Sequence, residues 1–409
     1  MASRTNATLL MFAVAVSAGN GAILQPLSNL LLNTIKSLSD LRKDRFLNFT
    51  ELSGQNGFAT EEHTVTTEDG YILTVYRMRR TDCVEYTGRP VLLMHGLFQD
   101  AVTWLDAGPD AGLAYLIAGQ CHELWVGNQR GNYDARRHVR LDPDRDAEFW
   151  QFSVDEIGFY DIPATVDYVL KSTKKEKLNY VGFSQGGGTF VIMCSERPSY
   201  CDKVNMFIAL APATRNLNTK SVAFRSILES FNKLEGVLSS AGVYEVFARG
   251  ALVQESLAQL CKSRLTAQVI CGTSFQLLDS PHPGSIDDET LQSIATHTPA
   301  GTSVHNLARY GQGLLTDKFQ KFDYGKSRNV AIYGTERAPI YNVSAVTVPV
   351  VLFYGLNDGV VDTKDVLWLV KRLPRVEVIQ VAVPLWNHFD MTYSPDIKEK
   401  IFTKFMQYL

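Results

Sequence analysis

The sequence predicts an α/β fold in which a mostly parallel, doubly wound sheet carries a helical insertion. Short apolar stretches alternate with helical patterns through the first half of the chain and again near its end, as in parallel sheets covered by helices. Between residues 215 and 342 helical patterns dominate, and no clear strand pattern interrupts them. We therefore expect one core, formed by residues 46–214 and 343–409, with residues 215–342 inserted as a helical cap.

Composition excludes several classes of protein. The chain has 409 residues, of which 45% are hydrophobic and 20% charged, as in a globular protein with a full core. A net charge of −3 offers no basic surface for a nucleic acid. Neither zinc-type cysteine pairs nor an H-E-x-x-H motif occurs, so no metal site is expected.

The amino terminus has the pattern of a secretory signal peptide. Arg4 precedes an apolar stretch at residues 9–18 that ends in small side chains, which predicts a signal of residues 1–18, with Ala22 as a second cleavage position. A buried helix is the weaker alternative. Residues 19–45 have leucines at helical spacing and are predicted to form a pro-segment or a helix on the core. No other stretch is long and apolar enough to predict a transmembrane segment.

A secretory route makes disulfides and glycans possible. The six cysteines permit disulfides, and Cys261 and Cys271, close together in the cap, are the best candidate pair. The pairing of the others stays open, and Cys194 could equally be a small apolar residue of a buried helix; these are Cys83, Cys121, Cys194 and Cys201. Of three N-x-S/T sequons, Asn6 would be lost with the signal, whereas Asn48 and Asn342 are glycosylation candidates.

The elements of the core follow in order along the chain. A hairpin is predicted at residues 64–76, with its turn at Asp69-Gly70. A buried strand is then predicted at 90–94 and further strands at 123–126, 177–181, 204–210, 348–354 and 376–383, with helices of the cap at 221–238 and 285–295. The cap would lie over the carboxyl ends of the strands, where active sites lie in open α/β sheets.

Ser184 is the candidate nucleophile. It is the central residue of Gly-Phe-Ser-Gln-Gly at 182–186, between a strand pattern and a buried helix pattern, which is the context of the G-x-S-x-G nucleophile elbow of α/β-hydrolases. Gly182 and Gly186 lack the Cβ that would clash where strand and helix approach each other. An ordinary surface serine in a glycine-rich turn is the alternative. An epoxide hydrolase or a haloalkane dehalogenase would need Asp at position 184, so the serine excludes both.

In this fold the acid and then the base follow the serine along the chain. Asp358 comes directly after a predicted strand and is the candidate acid, with Asp362 as its rival. His388 also follows a strand and is the only histidine after Asp358, so it is the candidate base. Asp390, close to His388 in sequence, fits a salt-bridging neighbour better than the acid.

Two backbone N–H groups are candidates for the oxyanion hole that acyl transfer requires. One belongs to Gln185, directly after the nucleophile, and the other to Leu97, in the loop after an earlier strand. Gly96 permits the turn that would aim the Leu97 N–H at the site. His95 is interpreted as a structural residue beneath this loop.

With these residues placed, the chain from Phe46 onward resembles the acid lipase family, which includes the gastric and lysosomal lipases. The resemblance rests on the segments at residues 66–73, 93–97, 128–138 and 339–343. It implies Ser184, Asp358 and His388 as the triad and Leu97 and Gln185 as oxyanion donors. It also implies a lid at about 215–342 that contains a disulfide, for which Cys261 and Cys271 are suitably placed.

The resemblance further implies hydrolysis of long-chain triacylglycerols or cholesteryl esters at an emulsion, lipoprotein or membrane surface, without a cofactor, in a secreted or lysosomal protein. The residue before the nucleophile is often His in the family and is Phe183 here, which leaves the acyl preference and the pH optimum open. An esterase for short soluble esters is the alternative within enzymes. A catalytically inactive lipid-binding homologue is disfavoured by the intact triad residues.

Overall fold

The computed structural model describes residues 47–409. The predicted signal peptide, the predicted helix or pro-segment of residues 19–45 and the sequon at Asn6 lie outside the described residues. Within them, no helix is both long enough and apolar enough to cross a bilayer.

An eight-stranded sheet forms the centre of the fold. Its strands are, in chain order, β1 Phe58–Thr66, β2 Ile72–Arg80, β3 Thr87–Met94, β4 His122–Gly127, β5 Leu178–Phe183, β6 Val204–Leu210, β9 Val350–Tyr354 and β10 Val376–Gln380. Across the sheet the order is β1-β2-β4-β3-β5-β6-β9-β10. The pairs β1·β2 and β2·β4 are antiparallel and all others are parallel. The mostly parallel α/β sheet is therefore confirmed.

Helices cover both faces of this sheet, as a doubly wound fold requires. Side chains of β3 alternate between the faces: Leu92 and Met94 pack in one hydrophobic cluster, and Val91 and Leu93 in the other. The first cluster also receives the helices α3 Ile162–Thr173 and α4 Gln185–Glu196. The second receives α2 Leu113–Ala118 and the carboxyl-terminal helical segment. Every residue of β4, β5 and β9 is buried, which explains why these strands are apolar in sequence.

The remaining α-helices of four or more residues lie at the amino terminus of the described chain, in the segment 215–342 and beyond it. They are α1 Phe49–Gln55, α5 Val222–Ser240, α6 Leu252–Leu260, α7 Thr273–Leu278, α8 Asp288–His297, α9 Val304–Gly313, α10 Lys326–Tyr333, α11 Thr363–Val370 and α12 Asp390–Tyr393. The segment 215–342 is mainly helical, but it also contains a two-stranded ladder of β7 Glu245–Val246 and β8 Thr302–Ser303. The sequence did not indicate this ladder, because two residues are too few to produce an alternating pattern.

Three disulfides join the six cysteines: Cys83–Cys121, Cys194–Cys201 and Cys261–Cys271. The Cys261–Cys271 bridge lies within the segment 215–342 and is the pair that the sequence favours. The interpretation of Cys194 as merely a small apolar residue was wrong, because it is bonded to Cys201 just beyond the end of α4.

Candidate active site

Ser184 lies at the turn between β5 and α4. Its φ of 50° is in the left-handed region, which a residue with a side chain seldom adopts. The turn is held by the Ser184 N–H, which donates to the carbonyl of Leu210 on the neighbouring strand at 2.9 Å. A Cβ at position 186 would collide with the carbonyl oxygen of Met94, so only glycine allows α4 to start this close to β3.

His388 forms a hydrogen bond with the hydroxyl of Ser184. The distance between His388 Nε2 and Ser184 Oγ is 2.8 Å, and both residues are buried, with 3% and 5% of their surface exposed. Ser184 follows β5 and His388 follows β10, which are separate strands of one sheet. The carboxyl ends of parallel strands thus bring the two side chains together across 204 positions of sequence.

Asp358, in the loop after β9, forms a hydrogen bond with the other nitrogen of the His388 imidazole. Its Oδ2 lies 2.8 Å from His388 Nδ1. Its Oδ1 accepts the N–H groups of Val360 at 2.9 Å and Val361 at 2.6 Å. These bonds fix the carboxylate so that Nδ1 of His388 donates to it and Nε2 faces the hydroxyl of Ser184.

The two rival carboxylates have other partners. Asp362 caps the first turn of α11 by accepting the Lys364 N–H at 2.8 Å, and its Oδ2 pairs with Lys220. Asp390 pairs with His282 at 2.6 Å and accepts the Asn387 N–H. The structure therefore places Asp358, and neither rival, against His388.

The charge state of His388 is set by opposing effects. Burial lowers its pKa, but the charge of Asp358, the hydrogen bond to Asp358 and the charge of Asp279 together raise the pKa by more, so the net shift is upward. The ring of Phe183, the residue before Ser184, lies 4.8 Å from the imidazole between ring centroids. An aromatic ring thus covers the imidazole of His388 on the side of the turn that carries Ser184.

The loop that carries Leu97 is held by polar contacts beneath it. The Gly96 N–H donates to Gln99 Oε1 at 2.8 Å. His95 Nδ1 donates to the Gly96 carbonyl, and His95 Nε2 accepts the Gln129 N–H at 3.1 Å. Burial lowers the pKa of His95 to about 4, which keeps the ring neutral, as these contacts require. His95 is therefore a structural part of the loop.

Gln185 is fixed by its own side chain. As the first residue of α4, it has a backbone N–H at a helix amino terminus, where such groups lack an intrahelical acceptor. Its side-chain amide donates to Gln129 at 2.9 Å and accepts from Asn306 of α9 at 3.0 Å. The sequence did not reveal this support, because Gln129 lies in the segment 128–138 without a role assigned to its side chain and Asn306 lies in no segment that the sequence singled out.

Asp279 is a further residue near the site that the sequence did not reveal. It follows α7 in the segment 215–342 and is 4% exposed. Its two carboxyl oxygens accept backbone N–H groups from the loops of both Asp358 and His388. Burial and the nearby Asp358 raise its pKa to about 8, against the opposing effects of His388 and the N–H donors. Nothing in its local sequence distinguishes Asp279 from a surface loop residue.

No group of three or more His, Cys, Asp or Glu side chains within residues 47–409 is arranged to hold a metal ion. The candidate site in the described chain consists of a serine, an imidazole and a carboxylate, with the backbone N–H of Gln185 directly after the serine in sequence. Such a set is suited to nucleophilic acyl transfer.

Comparisons with known proteins identify the fold and the family. Residues 49–108 match the family model described as a partial alpha/beta-hydrolase lipase region, and residues 89–233 match the alpha/beta hydrolase fold model. A mutant epoxide hydrolase from Bacillus megaterium, solved with its product, covers 84% of this chain and all of its own with a TM-score of 0.50. Its sequence identity is 12%, so this likeness concerns the fold alone. The fold is that of the α/β-hydrolases.

Two relatives define the family more narrowly. Lipase 1 of Drosophila melanogaster is 34% identical over 90% of this chain and 81% of its own length. Human gastric triacylglycerol lipase is 33% identical over 87% of this chain and 89% of its own length. The chain belongs to the acid lipase family of α/β-hydrolases.

Proposed function

We propose that this chain hydrolyses esters of long-chain fatty acids, with Ser184 as nucleophile, His388 as general base and Asp358 as the acid that orients His388. The observation that carries the proposal is the continuous, buried series of contacts from Ser184 Oγ through His388 to Asp358, each 2.8 Å long. A serine hydroxyl becomes an effective nucleophile only when a base takes its proton, and this arrangement supplies that base.

The reaction follows from these contacts. Ser184 Oγ forms a bond to the carbonyl carbon of the ester while His388 Nε2 takes the hydroxyl proton. The tetrahedral intermediate collapses as the carbon–oxygen bond to the alcohol breaks, and His388 returns the proton to the departing alcohol. Water then attacks the acyl-serine, gives a proton to His388 and releases the fatty acid, after which Ser184 regains its proton.

The Leu97 and Gln185 N–H groups are proposed to stabilise the oxyanion of both tetrahedral intermediates. Fixed donors assist such an intermediate because they need no reorientation when the charge develops. The contacts below Leu97 and the two amide contacts of Gln185 hold both segments in place. The amino terminus of α4 adds its positive partial charge.

The substrate and location are proposed from the relatives and the structure together. Human and bovine relatives are named gastric triacylglycerol lipases, which supports triacylglycerols, with cholesteryl esters as a second class, at an emulsion, lipoprotein or membrane surface. Residues 215–342 would act as the lid over an acyl groove. The three disulfides support a secreted or lysosomal location, and exposed Asn48 and Asn342 are proposed glycan sites.

The test is to compare purified protein with its Ser184→Ala variant on triolein, cholesteryl oleate and a short-chain soluble ester. We expect wild-type protein to release long-chain fatty acid, and the variant to lose activity by several orders of magnitude, about 10⁶-fold where a triad serine is removed. Activity on the short ester alone would make the protein an esterase. No activity on any ester would favour an inactive lipid-binding homologue.

A further inference from the structure

Four consecutive residues of the segment 215–342 contact both loops that carry the proposed base and acid. We call this stretch, Asp279 to His282, the clasp. It lies between α7 and α8, far in sequence from the loop after β9 that contains Asp358 and the loop after β10 that contains His388. The contacts begin with Asp279 and continue through each of the next three residues.

The carboxyl of Asp279 joins the two loops directly. Its Oδ1 accepts the Gly359 N–H at 2.8 Å. Its Oδ2 accepts the His388 N–H at 2.7 Å and the Phe389 N–H at 3.1 Å. One side chain therefore holds the residue after Asp358 and the backbone of His388 itself.

The other three clasp residues also contact the loops that contain Asp358 and His388. The carbonyl of Ser280 accepts the side-chain amide of Asn387, and the carbonyl of Pro281 accepts that of Asn357, both at 2.9 Å. His282 pairs with the buried Asp390 at 2.6 Å. The clasp thus binds the residues on both sides of His388 and the residue before Asp358.

Gly359 shows how closely the clasp approaches the loop of Asp358. A Cβ built at this position would collide with the carbonyl oxygen of Asp279 and with the hydroxyl of Ser280. Gly359 also accepts the Lys220 and Ser221 N–H groups, at 2.8 and 2.9 Å, through its own carbonyl. Only glycine therefore allows the clasp to dock on this loop.

We propose that Asp279 is a positioning residue for catalysis, because its carboxyl fixes the backbone of His388 relative to the loop of Asp358. This inference rests on the proposed function. On this proposal, part of the segment 215–342 belongs to the rigid structure that holds the triad in place. A movement that opens the lid would have to leave the clasp in place, because lifting it would break the contacts that hold His388.

The test compares Asp279→Ala and Asp279→Asn with Asp287→Ala, in the full chain, on a short-chain soluble ester. Asp287 caps α8 by accepting the Thr290 N–H at 2.8 Å, so its loss lowers stability without touching the loops of Asp358 and His388. Turnover is expressed per site that reacts with a phosphonate ester, which removes the contribution of unfolded protein.

For Asp279→Ala we expect kcat to fall by about 10²-fold, as a small misplacement of a reacting group does, with KM unchanged. Asp279→Asn keeps an oxygen for the His388 and Phe389 N–H groups but turns an amide NH₂ toward the Gly359 N–H, so its kcat should be intermediate. Asp287→Ala should keep the wild-type kcat.

Wild-type kcat in both Asp279 variants, with wild-type protein active and Ser184→Ala inactive, would overturn the inference and leave the proposed function intact. Equal losses of kcat in Asp279→Ala and Asp287→Ala would also overturn the inference, because the effect would then be caused by lost stability and not by the position of His388. Wild-type protein that is inactive on every ester would contradict both the proposed function and the inference about Asp279. If Asp279→Ala does not fold, the isosteric Asp279→Asn variant decides, and a kcat equal to wild type in that variant contradicts the inference.

Discussion

Asp358 Oδ2 lies 2.8 Å from His388 Nδ1, while Asp362, only four residues further along the chain, contacts Lys220 and the first turn of α11. Both aspartates follow the same predicted strand, and the sequence favours Asp358, which lies nearer to it, with Asp362 as the rival. Their difference arises because Asp358 lies in the loop directly after β9, whereas Asp362 is already the cap of the next helix.

This difference predicts unequal effects of two matched substitutions. In Asp358→Asn, the amide oxygen is expected to keep the Val360 and Val361 N–H groups, so the NH₂ would face His388 Nδ1. The imidazole would then adopt the tautomer with a proton on Nε2 and could not accept one from Ser184. We expect kcat to fall by about 10⁴-fold.

Asp362→Asn is the control, measured on the same ester. Asn is as good a helix cap as Asp, and Lys220, whose side chain is 55% exposed, stays hydrated without its partner. Its kcat should stay at the wild-type value. Equal losses in both variants would contradict the assignment of Asp358.

A second prediction concerns the pH dependence of kcat/KM. The base must be neutral to accept the Ser184 proton, so kcat/KM should fall as the pH falls through the pKa of His388. Burial lowers this pKa, while the charge of Asp358, its hydrogen bond to the imidazole and the charge of Asp279 together raise it more. In Asp358→Asn both contributions of Asp358 are lost and only that of Asp279 remains, so the acidic limb of the residual activity should move to lower pH. An acidic limb that moves to higher pH, or shifts equally in Asp362→Asn, would contradict the electrostatic role.

The close approach at the elbow predicts a large effect of one methyl group on stability. Gly186→Ala would drive a Cβ into the backbone carbonyls of Met94 and His95, which cannot move aside as a side chain can. We expect the free energy of unfolding to fall by about 2–4 kcal/mol. Gly236→Ala in α5 meets no atom within 4 Å and should instead raise it by about 0.5–1 kcal/mol. Denaturant unfolding measures both, and the reverse order would contradict this account of the elbow.

The exposed sequons predict two glycans on protein made in a secretory host. Thr50→Ala removes one sequon and leaves Asn48 to cap α1, where its side chain accepts the Glu51 N–H at 2.9 Å. Ser344→Ala removes the other. Each variant should lose one of two mobility shifts caused by enzymatic deglycosylation, and the double variant both. Wild-type protein that is unchanged by deglycosylation would show that neither asparagine is modified.

The core of the sheet was predictable because its strands are buried on both faces. The apolar pattern at 204–210 coincides with β6, and that at 123–126 lies within β4. The first strand was only partly foreseen. Phe58–Thr66 is largely exposed or half-exposed, so no burial pattern marks its first half in the sequence.

The triad candidates could be located because each follows a strand and the chain order limits the choice. The clasp could not, because Asp279 acts on backbone N–H groups 80 to 110 positions away, and any residue type offers such a donor. The one local signal was Gly359, directly after Asp358. A glycine there indicates a close approach of another segment, but it does not identify that segment.

The most direct test of the account is to identify the residue that a long-chain alkyl phosphonate ester modifies. The phosphorus takes the place of the ester carbonyl carbon, so an activated serine forms a stable covalent adduct with it. Mass spectrometry of the digested protein should place the adduct on Ser184, and His388→Ala should slow its formation by orders of magnitude, about 10³-fold or more. An adduct on another residue, or none on wild-type protein that hydrolyses esters, would contradict Ser184 as the nucleophile.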